Sequence, residues 1–150
     1  MRILPWSLSA PASGSRLIVP RLPFPYLLRS AFVLFPFGVI PGTGYASLTV
    51  SDGASGVLFQ SISETWNAGA TSALVTFAPG LPRSSGSALT PLGVPIRLDA
   101  TGTLSQRACQ GSIPSDFWVM PSMQLSIDGA AENGVSSLVI GEARLIIGVP

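Results

Sequence analysis

Neither histidine nor lysine occurs anywhere in the 150 residues, there is one cysteine, and only 10% of the chain is charged. Each scarcity removes a class of chemistry. Without an imidazole there is no Ser-His-Asp or Cys-His nucleophile, and without lysine there is no Schiff base, Ser-Lys dyad or Walker lysine. Cys109 has no second cysteine to bridge with and no base to activate it, so it reads as a buried or incidental thiol. No G-x-S-x-G elbow is present. Residues 42–47, GTGYAS, imitate a dinucleotide-binding turn, but Ser47 stands where the third glycine belongs and a strand follows, so they read as a turn.

The acids offer two further ideas. Glu64 beside Trp66 and Asp116 beside Phe117 and Trp118 are acids next to rings that stack on sugars, as a glycosidase-like pair requires. Asp52, Asp99 and Asp128 fall in glycine-containing turns, but without the alternating acidic spacing of a calcium loop. The plainer reading is that Asp116 shapes a turn before a strand and that the other three are ordinary turn residues. Catalytic, cofactor-binding and metal-binding residues are therefore all expected to be absent.

Charge is unevenly placed. Four of the eight arginines precede residue 30, and all seven acids follow residue 46, against Arg83, Arg97, Arg107 and Arg144. That acidic balance lacks the basic stripe that phosphate neutralisation demands, which excludes a nucleic-acid partner on electrostatic grounds.

What the chain does have is apolar surface: 47% of residues are hydrophobic and the mean hydropathy is +0.51. The excess peaks at residues 31–40, which lack any charge. Arginines before that run and small residues after it give the order of a secretory signal, with a cut after Ala46. Pro36 interrupts the run, and Arg29 and Pro41 bound it far short of the ~20 residues of a membrane helix, so no stable membrane span is expected. Pro5, Pro11, Pro20, Pro23, Pro25, Pro36 and Pro41 instead favour extended backbone, an N-terminal arm that lies on its own domain or on a neighbour.

Beyond residue 46 the period is two. Residues 46–51, 57–62 and 71–77 alternate, with Ala73, Val75 and Phe77 facing inward. Residues 79–88 read as a polar loop. Pro91 and Pro95 make 89–98 an edge or broken strand, and 103–108, 117–127, 135–140 and 143–149 supply the rest. Short strands punctuated by Gly, Pro and Asp define an all-β fold, an antiparallel β-sandwich or jelly-roll-like body at 46–150, preceded by the Pro-rich apolar arm at 1–45.

These features lead to a non-enzymatic structural subunit of a large assembly: a virion protein such as a capsid decoration or minor coat protein, which stabilises the shell through arm and β domain. Its partners are other protein subunits, copies of itself in a homo-oligomer and a major coat protein. The contact residues expected are Leu17, Ile18, Val19, Phe24, Tyr26, Phe32, Phe35, Phe37 and Arg83. On this reading, deleting the arm stops assembly and leaves the β domain folded. The alternatives are an exported surface or fimbria-like sandwich that has shed residues 1–46, secreted or on the cell surface, and a carbohydrate-binding or glycosidase-like module.

Overall fold

The computed structural model describes residues 1–9, 16–35, 44–53, 56–63, 72–80, 87–89, 95–97, 106–131 and 140–150. Twelve strands occupy them: β1 (Arg2–Ser9), β2 (Arg16–Ile18), β3 (Tyr26–Phe35), β4 (Gly44–Ser51), β5 (Val57–Ile62), β6 (Ser72–Ala78), β7 (Ser87–Leu89), β8 (Pro95–Arg97), β9 (Gln106–Ser112), β10 (Trp118–Val119), β11 (Gln124–Ala131) and β12 (Glu142–Val149). The fold is all-β, with no helix among the described residues, as the period-two pattern demands.

Two sheets carry the body. Sheet A runs β1-β12-β3-β6-β9, with the two residues of β10 also paired to β3, and sheet B runs β2-β11-β4-β5. β7 and β8 form a separate small antiparallel ribbon. Sheet B is antiparallel throughout. Sheet A is mixed, because β6 and β9 run parallel, with Val75 beside Cys109. This departs from the purely antiparallel sandwich expected, and the reason lies in the connection. A parallel neighbour needs a crossover of a dozen or more residues. Residues 79–105 provide one, and the β7–β8 ribbon sits within it.

The stretch expected as an arm supplies β1, β2 and β3, and each pairs with a strand from beyond residue 46. β1 lies along β12 from Arg2↔Val149 to Ser9↔Glu142, β2 pairs β11, and β3 is flanked by β12 and β6. Its prolines among the described residues sit where a ladder tolerates them. Pro5 is on the outermost strand of sheet A, and Pro20, Pro23 and Pro25 fill the link between β2 and β3.

Alternation within each strand builds one core. Ala31, Val33 and Phe35 of β3, Ala73, Val75 and Phe77 of β6, and Ala143, Leu145 and Ile147 of β12 meet Ala46, Leu48 and Val50 of β4 and Leu125 and Ile127 of β11. All are buried, and each large side chain so removed from water contributes roughly 1.5–3 kcal/mol. Rings close the ends, with Trp6 edge-on to Tyr26 at 6.0 Å and Phe59 tilted against Phe117 at 4.8 Å. Burial pushes the Tyr26 phenol well above its ordinary range, so it stays neutral.

Packing is tight around Gly111 of β9. A Cβ there would lie 2.5 Å from the Phe77 ring and 3.3 Å from the Cα of Ser63, so only glycine fits. Beside it the Ser61 hydroxyl donates to the Ser112 carbonyl at 2.7 Å, tying β5 to β9.

The β4–β5 turn uses the Asp-Gly chemistry read from the sequence. Gly53 takes φ +86°, the Asp52 N–H donates to the Gly56 carbonyl, and the Gly56 N–H donates to Asp52 Oδ1 at 3.1 Å. Asp128-Gly129, expected as a second such turn, lies inside β11 opposite Ser47 and Ala46. There Asp128 meets Arg16 of β2 at 3.2 Å, a cross-strand pair invisible to local spacing.

Candidate functional site

The outward face of sheet A carries a cluster of part-exposed apolar side chains. Strand period two sends Ala31, Val33 and Phe35 into the core and therefore Phe32 and Leu34 to the other side. Leu74 of β6 stands beside Leu34 in register, and Glu142 of β12 stands on its other flank. One row along, Phe32 lies between Arg144 and Thr76. Ile146 extends the floor where the β3–β12 register shifts, next to Ser30. Phe32, Leu34, Leu74 and Ile146 are half-buried, and Ser7 and Ser9 of β1 complete one wall. Together they line a groove of about 700 Å³, inside the range of ordinary binding clefts.

The chemistry open to this groove follows from its lining. Its polar groups are two serine hydroxyls, the Glu142 carboxylate and the Arg144 guanidinium, with no imidazole or amine to act as base on either serine. Among the described residues no group of three or more His, Cys, Asp or Glu comes together to hold a metal. Of the sugar-site pair, Asp116 is exposed, with its carbonyl accepting the Trp118 N–H at 3.1 Å in a turn before β10. Glu64 and Trp66 lie outside the described residues, as does Asp99. Cys109 is buried in the core.

The contact residues read from the sequence divide sharply. Leu17, Val19, Tyr26 and Phe35 are buried within this chain, whereas Ile18 and Phe24 are exposed at 56% and 38%. Phe32 forms part of the groove floor. Phe37 and Arg83 lie outside the described residues. Of the expected set, then, Ile18, Phe24 and Phe32 present apolar surface outward, and they do so from separate places.

Sequence reasoning missed Leu34, Leu74 and Ile146. A signal was present: a half-solvated strand alternates, so the unbroken runs 31–35 and 145–147 mean that both faces of β3 and β12 are apolar. What the runs did not give was the neighbour relation that sets Leu34 beside Leu74.

A second exposed apolar set sits on β5, the last strand of sheet B, where Val57, Leu58 and Ile62 are 61%, 54% and 37% exposed. No helix among the described residues is long and apolar enough to cross a membrane. No family model, curated protein or solved structure matches the chain.

Proposed function

We propose that the protein is a non-enzymatic structural subunit of a large protein assembly of the virion type, a capsid decoration or minor coat protein. The observation that carries this reading is the groove on the outer face of sheet A. A groove whose lining keeps Phe32, Leu34, Leu74 and Ile146 part-exposed, with Glu142 and Arg144 as its charges, is built to be covered by another protein. The absence of histidine and lysine from the whole sequence argues in the same direction, against an enzyme.

In this reading the covering partners are other subunits, copies of this chain and a major coat protein, and the contacts come from the sheet surface. β1, β2 and β3 are spent on the chain's own sheets. Native mass spectrometry of the protein from its source tests the reading. A chain that includes β3, held in a large symmetric complex, is the expected result, and a solitary chain in that material would sink it. Leu34→Arg, half-buried on the outward face, is expected to leave the strand content intact by circular dichroism and to remove the chain from the complex.

A further inference from the structure

The outward face of sheet B differs from that of sheet A in having a polar centre. Alternation sends Ala46, Leu48 and Val50 of β4 and Leu125 and Ile127 of β11 into the core, so Ser47, Thr49, Ser126 and Asp128 face away from it. Register joins them to the edge strands in two rows across the sheet, Ile18–Ser126–Thr49–Gln60 and Arg16–Asp128–Ser47–Ile62. Each row is open at its ends. Ile18 and Ile62 are 56% and 37% exposed and Gln60 is exposed, whereas Ser126, Thr49 and Ser47 keep only 5%, 8% and 8%. Short side chains on the two central strands, between longer ones on β2 and β5, make a trough whose walls stand three strand spacings apart, about 14 Å.

The hydroxyls of Ser47, Thr49 and Ser126 have no hydrogen-bond partner among the described residues. A side chain more than nine-tenths buried that leaves its hydroxyl unpaired carries a free-energy cost, and three together on one floor call for a group that would pair them. The charges beside them cancel, because Arg16 and Asp128 pair with each other at 3.2 Å, which also guards the β2 edge. At one end of the floor Tyr45 of β4 lies in phase with Ser47 and Thr49, half-buried on the same face.

From this arrangement we infer that the outward face of sheet B is a binding site for a neutral carbohydrate. A hydroxyl both donates and accepts, so a floor of hydroxyls is matched by a ligand whose own polar groups are hydroxyls. The Gln60 amide at the rim adds a donor and an acceptor, Ile18 and Ile62 offer apolar walls to the C–H faces of sugar rings, and Tyr45 offers a ring to stack on. The cancelled charge disfavours a phosphorylated or sulfated chain, which requires unpaired cations. The site is independent of the assembly reading, whose contacts lie on the other sheet. One sheet would hold the assembly and the other the glycan.

An array of neutral and sulfated oligosaccharides, probed with the full chain, tests it, followed by titration calorimetry with the neutral oligosaccharide best retained. Thr49→Val and Ser126→Ala each remove one floor hydroxyl and should weaken that binding roughly three- to tenfold. Tyr45→Ala should weaken it by a similar factor. The free chain gives a second readout, needing no ligand: Thr49→Val removes an unpaired buried hydroxyl, so its denaturant midpoint should rise. A midpoint that falls would show the hydroxyl to be satisfied within the chain and overturns the inference. So does an array that retains no neutral oligosaccharide or prefers the sulfated ones, or an affinity that all three variants leave unchanged. None of these outcomes touches the assembly reading, which falls only if the chain from its source is solitary.

Discussion

β3 and β5 are both strands rich in apolar residues, yet they have opposite fates. β3 has β12 on one edge and β6 on the other, with Leu28, Ala31, Val33 and Phe35 at most 1% exposed. Among the described residues β5 has β4 on one edge only, and it leaves Val57, Leu58 and Ile62 in solvent. Hydrophobicity alone therefore does not separate a strand at the heart of a sheet from one at its margin. What separates them is how many neighbours the tertiary fold supplies.

Removing the better-connected strand gives the harshest test of that contrast. Deletion of residues 1–43 takes away β1, β2 and β3 and leaves β12 and β6 without the strand between them. The truncated chain is expected to lose cooperative thermal unfolding altogether, measured by calorimetry. This reverses the expectation drawn from the sequence, in which the β domain survives without its arm. A truncated chain that still melts cooperatively would mean that β3 is dispensable.

Point substitutions sharpen the same comparison. Leu28→Ala empties a fully buried site in β3 and should cost about 2–5 kcal/mol, whereas Leu58→Ala on the exposed edge should stay within about 0.5 kcal/mol. Denaturant midpoints of the two variants, measured under monomeric conditions, decide it. Equal losses would place β5 in the interior after all.

The smallest effect concerns the guarded edge of sheet B. Burial raises the Asp128 carboxyl above its usual range, and the Arg16 guanidinium only partly offsets that. The folded chain then holds this proton more tightly than the unfolded chain does. The contribution of Asp128 to stability is therefore full below its unfolded pKa and is lost as pH rises through the folded value. Asp128→Asn should flatten that limb in a stability-against-pH series across the acidic range, by little, because the side chain keeps 30% of its exposure.

These contrasts also mark how far the residues could be read in advance. Strands at 57–62 and 71–77 were legible nearly to the residue, because alternation and turn chemistry are local. The same holds for the inward set Ala73, Val75 and Phe77, all now buried. Asp52 was legible as a turn residue from the glycine after it. Asp128, with the same Asp-Gly signature, was misread because its pairing with Ser47 and its ion partner Arg16 come from distant segments. The groove was half legible. The unbroken apolar runs around Phe32 and Ile146 announced two apolar faces, but the row Glu142–Leu34–Leu74 exists only through the order of β12, β3 and β6.

By itself the sequence determined the exclusion of His- and Lys-dependent chemistry, the all-β class and the phase of its cleanest strands, since composition and period two require no knowledge of neighbours. Tertiary structure alone decided that the proline-rich first third joins the sheets, that β6 and β9 run parallel, and that β5 ends its sheet among the described residues. Those are matters of which strand lies beside which, and the partners are separated by tens of residues along the chain, beyond the reach of any local pattern.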